Sequence, residues 1–447
     1  MSFKSQGSSQ RGPRSSIRAT ALCSLAVLST AIVLSACGSS SSTSSTSSST
    51  PAKVDTSAAS TTATDAKSTL LPVPALSASA LDAAIVEAFG GPIPATDLDP
   101  VTTNALNVAG TPATPEQIAL VNKCVKEATC ETGHGEIKVG ILDPSGSINP
   151  WHAQARGAQT LQAIKYPQVK SVTYVDGQAD LAKTIAAYRG LISQKVDIIT
   201  GVFDQGDALL PTTKLAAAAG IIVVPYSNVM PKATGTGDIA VDVAADLCGY
   251  GTTLGTLAAK GHTSGKVALY SGPPGNPFGG TWGPCAEKAI KAAGLTSSMG
   301  STAWTPQGEA QAAAALAANP GDTVAAVYDY LPDGFFQKAI ALGKEPLHQV
   351  GGSAAYSTVA LYKQLKAKYP DWVFDVSESQ LFFPSIAMTA ALEKKLGGDV
   401  PLHIIPPQTV LTMENYIPYY DSHPGLPPAA QFSTMLPSEI LQTILGK

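Results

Sequence analysis

From residue 136 onward, short apolar runs alternate with stretches whose apolar positions recur every three or four residues. Ile137-Lys138-Val139-Gly140-Ile141-Leu142 reads as a buried strand, followed by a loop over 143–149. Asn149 is placed to cap a helix that runs to about Tyr166, with Pro150 in its first turn. Strands then follow at 172–175, 196–200 and 221–225, with helices at 181–194 and 208–219 between them. In the helix at 181–194, Ile185, Leu191 and Ile192 share the apolar side. The pattern repeats further on, with helices at 246–260, 282–293, 307–318, 333–342 and 358–369. Strands at 266–270, 323–327 and 349–351 lie between them. Alternating strands and helices with short loops predict parallel, doubly wound sheets. Two such series predict two lobes, with a cleft at the carboxyl ends of their strands.

The first 135 residues break this pattern. Lys4, Arg11, Arg14 and Arg18 precede an apolar stretch over 19–36, and no acid occurs before Asp55. That is the layout of an export signal rather than of folded structure. It ends in Leu34-Ser35-Ala36-Cys37-Gly38, which resembles a lipobox, in which the cysteine thiol receives a diacylglycerol. The alternative is an uncleaved membrane anchor, since the run is nearly long enough to span a bilayer. Residues 37–69 are rich in Ser, Thr and Ala, cannot bury a core and read as a flexible spacer. Residues 70–135 carry two helical patterns, 79–89 closed by Gly90 and 114–127 capped by Thr114, and read as an accessory segment.

Composition narrows the function classes. Of 447 residues, 44% are hydrophobic and 14% charged, with a net charge of −4, so a large core is available and the surface is lightly charged. Without a concentrated basic surface, nucleic acid is not an expected partner. In an exported chain, Cys124, Cys130, Cys248 and Cys285 are expected to pair as Cys124–Cys130 and Cys248–Cys285. The alternatives are metal ligation or free thiols. Neither pair has C-x-x-C spacing and the histidines lack zinc-site spacing, so no metal and no cofactor are expected.

Several segments taken in order resemble the type I periplasmic sugar-binding family, the ribose-binding-protein-like solute receptors of ABC importers. They are Asn149-Pro150-Trp151-His152-Ala153 after the first strand, Arg156-Gly157-Ala158 in its helix, the block ISQKVDIIT at 192–200, Ala219-Gly220-Ile221 leading into Val224, and Lys266-Val267-Ala268-Leu269 before the loop SGPPGNPFGGTWG. The resemblance implies a periplasmic binding protein type I fold: two Rossmann-like lobes joined by a three-strand hinge. The lobes would comprise 136–235 with 376–405, and 236–375 with 406–415, leaving 416–447 as a tail. Crossings are expected at 229–242, 374–380 and 406–411.

By the same resemblance, Asn149, Trp151 and His152 match first-loop ligand residues, with Trp151 against a ring face and Asn149 toward hydroxyls. Asp204 stands as a hydroxyl acceptor or a helix cap. Ser227 and Asn228 stand where the family often has an Asp-Arg pair, a departure that leaves the ligand open. In the second lobe Asn276, Phe278 and Trp282, then Tyr328, Asp329, Ser353 and Gln380, occupy the corresponding positions. The family's arginine is absent there, and Phe278 and Trp282 are expected to form an aromatic wall. Core packing, capping or hinge packing is the alternative for each.

Other motifs fail on spacing. Gly249 to Gly255 reads G-x-G-x-x-x-G and follows no strand, and 261–266 is one residue short of a phosphate loop. G-x-S-x-G and H-E-x-x-H are absent, and no histidine motif links to Ser145 or Ser147, so an enzyme is not expected. The expected protein is a monomeric, membrane-tethered binding lipoprotein for a small polar solute, sugar or polyol favoured, that serves an ABC permease. The competing expectation is a receptor that signals through a membrane partner.

Overall fold

The structure, a computed structural model, describes residues 70–446 apart from 147, 229, 231 and 378–380. The export signal, Cys37, the spacer and Gln380 lie outside the described residues. Three helices come first: α1 (Ala78–Phe89), α2 (Pro100–Gly110) and α3 (Pro115–Cys124). Ser77 caps α1 and Gly90, at φ 72°, ends it; Thr114 and Gln117 form a capping box on α3. The periodicity predicts α1 and α3 but misses α2, whose start is nonetheless marked by the Asp99 cap and Pro100.

The first α/β series contains β1 (Thr129–Glu131), β2 (Ile137–Asp143), α4 (Pro150–Ile164), β3 (Val169–Asp176), α5 (Leu181–Ser193), β4 (Ile198–Val202), α6 (Leu210–Ala218), β5 (Ile222–Ser227) and β6 (Asp242–Ala244). The second contains α7 (Leu247–Ala259), β7 (Lys266–Ser271), α8 (Pro277–Ala292), β8 (Thr296–Ser301), α9 (Pro306–Ala318), β9 (Thr323–Tyr328), α10 (Asp333–Leu342), β10 (His348–Gly351), α11 (Tyr356–Lys368) and β11 (Phe374–Ser377). The chain ends with α12 (Phe383–Lys395), β12 (His403–Ile404), β13 (Val410–Thr412), α13 (Ile417–Ser422) and α14 (Ser438–Leu445).

The strand orders are β1-β3-β2-β4-β5-β6-β12 and β13-β11-β10-β9-β7-β8. Pairing is parallel except at β1 on β3 and β13 on β11. This is the doubly wound two-lobe architecture that the alternation predicts. The first crossing falls elsewhere than expected: β6 pairs with β5 and β12, so the chain leaves the first sheet only after Ala244 and not within 229–242. It returns after β11 and crosses again between β12 and β13. The segment before residue 136 is also more than an accessory, because its β1 edges the first sheet.

Each sheet buries its own core. Val139, Ile141 and Ile198 pack with Ile386 and Leu392 of α12 and with Phe89 and Leu106 of α1 and α2. The Glu393 carboxylate on α12 ties this layer down by accepting from Leu71 N at 2.6 Å and Asn104 Nδ2 at 3.0 Å. In the second lobe α7 and α8 approach closely: a Cβ at Gly251 would lie 2.1 Å from the Trp282 carbonyl oxygen, and one at Gly255 would lie 2.5 Å from that of Ala286. The glycine spacing that resembled a nucleotide motif is therefore a helix-packing seam. Cys248 and Cys285 bond across it, Cys285 lying mid-helix rather than at a helix start, and Cys124 bonds to Cys130.

The tail beyond residue 415 is built into both lobes. Phe432, Leu436, Ile440 and Leu441 share a core with Leu161 and Ile164 of α4 and with Tyr356, Val359 and Phe374 of the second lobe. No described helix is long and apolar enough to cross a membrane.

Candidate binding cleft

In each lobe the helix that follows the leading parallel strand starts in the same way. Asn149 Oδ1 accepts from Trp151 N at 3.0 Å, and Asn276 Oδ1 accepts from Phe278 N at 2.8 Å. In both cases Asn-Pro opens a helix behind the lobe's leading parallel strand, and the aromatic after the proline enters the space between the sheets. That space is a cavity of about 70 Å³, room for a few water molecules. It sits at the carboxyl ends of the strands, where doubly wound sheets bind ligands. The first lobe contributes Asn149, Trp151, His152, Val202, Asp204, Ser227, Asn228 and Ala245. Opposite them stand Phe278, Trp304, Asp329 and Tyr330, with Phe383 and Gln408 from the crossings.

Eight of the residues singled out in the sequence thus meet around one cavity: Asn149, Trp151, His152, Asp204, Ser227, Asn228, Phe278 and Asp329. Four others stand behind it or to its side. Trp282 is fully buried in the second lobe's core and donates Nε1 to Asp329 Oδ2 at 3.0 Å, so it supports the wall instead of forming it. Tyr328 is buried against Tyr270 and Phe335. Ser353 donates to Gln431 Oε1 at 2.7 Å, and Asn276 is a helix cap whose side chain also lies near Asp204.

Trp304, Tyr330, Phe383 and Gln408 were not foreseen. Trp304 belongs to the loop behind β8, a strand too polar and exposed to be read from TSSMGS. Its signal is the Thr305-Pro306 cap that follows it, the same device as at Trp151 and Phe278. Ala303 and Trp304 both adopt left-handed backbone, φ 52° and 54°, as does Ser227 at φ 64°. Such residues cost on the order of 1 kcal/mol each and persist where their surroundings hold them. Trp304 is held by its indole, which donates to Asp329 Oδ1 at 2.9 Å, and by Asn149 Nδ2, which reaches its carbonyl at 3.4 Å from the other lobe.

The polar floor is acidic. His152 is buried with Nδ1 2.9 Å from Asp143 Oδ1 and Nε2 3.9 Å from Asp204 Oδ2; the closer contact is an ion pair without good hydrogen-bond geometry. Burial pulls the imidazole pKa down, but Asp143, Asp204 and Asp176 outweigh it and the pKa ends above its ordinary value. Burial pushes Asp204 up, against His152, Ser145 and Asn276. It pushes Asp329 to about 6 despite the Ser271, Trp304 and Trp282 donors. Among the described lining residues there is no lysine or arginine.

The sequence profile of the periplasmic binding protein domain matches residues 139–369, just over half of the chain. The chain belongs to the periplasmic binding protein family. Its members are binding proteins rather than enzymes, and they work outside the cytoplasm. Solved binding proteins share the fold. An ABC transporter solute-binding protein from Mycobacterium smegmatis with bound glycerol has a TM-score of 0.55 at 17% identity, over 64% of this chain and 96% of its own. The arabinose ABC transporter's binding protein from Shewanella sp. ANA-3, bound to L-arabinofuranose, has 0.56 at 19% over 64% and 95%. A Bacillus halodurans C-125 solute-binding protein with myo-inositol has 0.54 at 16% over 65% and 99%. At these identities the likeness is one of fold. No curated protein matches the sequence.

Proposed function

We propose that this binding protein is the extracytoplasmic receptor of an ABC importer, tethered through Cys37, and captures a small hydroxyl-rich solute between its lobes. The observation that carries the reading is the cavity itself. Ring faces from both lobes, Trp151 on one side and Phe278 and Trp304 on the other, enclose carboxylate and amide groups at the strand ends. Aromatic faces suit the C–H faces of sugars and polyols, and carboxylates and amides suit their hydroxyls. The glycerol, arabinofuranose and myo-inositol bound to the structural neighbours are of that class. The Leu34–Gly38 segment supports the tether, and the Ser/Thr-rich stretch behind it supplies reach.

A thermal-shift panel of pentoses, hexoses, polyols and their amino derivatives tests the reading. A ligand raises the melting temperature by mass action, and Trp151→Ala should remove the shift. A folded protein that none of the panel stabilises would sink the proposal.

A further inference from the structure

The Asp204–Asn228 pair gives the cavity a directional polarity. Asn228 Nδ2 donates to Asp204 Oδ1 at 2.8 Å, and an ionised carboxylate only accepts, so the amide's orientation is set by its partner. Asn228 Oδ1 is then an acceptor as well. Both Asn228 Oδ1 and Asp204 Oδ2 are buried and, among the described residues, meet no donor in good hydrogen-bond geometry, although Ser145, Asn276 and His152 stand near the carboxylate. Buried acceptors left open are costly, and they mark what a ligand must bring.

Three of the neighbouring donors are already engaged. Trp304 Nε1 goes to Asp329, Trp282 Nε1 to the same carboxylate from behind, and Asn149 Nδ2 to the Trp304 carbonyl. A neutral sugar hydroxyl both donates and accepts, so a site made for one offers donors and acceptors together. An anionic solute would meet the two lining carboxylates; the basic group among the described lining residues is His152, itself held against Asp143 and Asp204, and there is no lysine or arginine. Ring faces of Trp151, Phe278 and Trp304 attract cations through their quadrupoles.

From this we infer that the captured solute carries a protonated amine, seated on Asp204 Oδ2 and Asn228 Oδ1 with its carbon skeleton between the aromatic rings: an amino sugar or amino polyol rather than its neutral counterpart. The inference rests on the solute-receptor reading and narrows it.

The test uses matched probes: D-glucose with D-glucosamine, D-galactose with D-galactosamine, and N-acetyl-D-glucosamine as the uncharged amide control. Melting shifts are followed by calorimetric titration at pH 7. The expected result is at least about ten-fold tighter binding of an amino sugar than of both its neutral parent and its acetamide, a ratio a charge-assisted bond and ring contacts supply. Asp204→Asn should collapse that ratio to near one. Equal or tighter binding of the neutral sugar overturns the amine and leaves the receptor reading standing. Silence from the amino sugars here, when other panel solutes bind, overturns the amine alone. Silence across the whole panel overturns both.

Discussion

Glu309 gives a pH-dependent stability that can be measured without a ligand. It lies on α9, 4% exposed, with one long hydrogen bond, Gly334 N donating to Oε2 at 3.4 Å. Burial, followed by repulsion from Asp333, raises its pKa from 4.5 to about 8, and its charge in turn bears on Tyr328 and Tyr330. The unfolded chain releases this proton near 4.5, whereas the folded chain holds it to about 8. The unfolded state therefore binds fewer protons across that window, and stability falls as pH rises through it. At about 1.4 kcal/mol per unit, the loss is on the order of 5 kcal/mol once both states have ionised. Glu309→Gln keeps the volume and the acceptor for Gly334 N but has no proton to lose. Its stability relative to the native protein, from urea unfolding at pH 4.5 to 9, should climb from about pH 4.5 and level off above about pH 8. Taking the difference cancels Asp204, Asp242 and Asp329, whose pKa values are also raised. A difference that is the same at pH 5 and pH 8.5 would refute the reasoning.

Gly255→Ala sets a Cβ 2.5 Å from the Ala286 carbonyl oxygen and should cost about 1–3 kcal/mol in unfolding free energy as α7 and α8 part. Gly190→Ala, in α5 with open space around it, should instead gain about 0.5–1 kcal/mol; equal effects would remove the packing explanation. Gln431→Ala strips the Ser353 hydroxyl of its acceptor and should cost about 1–3 kcal/mol, with faster amide exchange at 427–436. Cys37→Ser should move the protein from the membrane fraction to the soluble exported fraction and abolish labelling by an alkyne fatty acid; unchanged labelling would place the lipid elsewhere.

Where the pattern of the sequence and the structure agree, the signal is local. The apolar strand at 137–142 and the caps at Asn149 and Thr114 depend on neighbours a few residues away and are found where expected, and the strand expected at 196–200 is found two residues on, at Ile198–Val202. Where they differ, the controlling contact is distant in sequence. β6 is three residues long and exists because it pairs with β5 and, 161 residues later, with β12, so no local run marks it. β8 is an edge strand whose exposed positions need no apolar residues. Trp282 and Trp304 look alike in sequence, yet both indoles grip Asp329 from opposite sides and only Trp304 borders the cavity. Which of two tryptophans faces a ligand depends on the loop's backbone, and left-handed Ala303 and Trp304 carry no residue-type signature.

The tail adds a connection to the three crossings. Gln431 N donates to Gln154 Oε1 in the first lobe at 2.8 Å, while its side chain holds Ser353 and reaches the Tyr330 hydroxyl at 3.5 Å in the second. Beside it, Ser433 Oγ accepts from Leu381 N, in the segment returning from β11 to α12. A rotation of one lobe against the other about the crossings displaces groups in proportion to their distance from that axis. Contacts of the tail beside Leu381 therefore move little. The direct contacts across the cleft move most; among the described residues they include the 3.4 Å bond from Asn149 to the Trp304 carbonyl, the approach of Asn276 to Asp204 and of Tyr330 to the Trp151 backbone, and the apposition of Gly206 and Pro277. In a rotation of that kind, a solute that touches both walls would supply the differential affinity that sets the closed population.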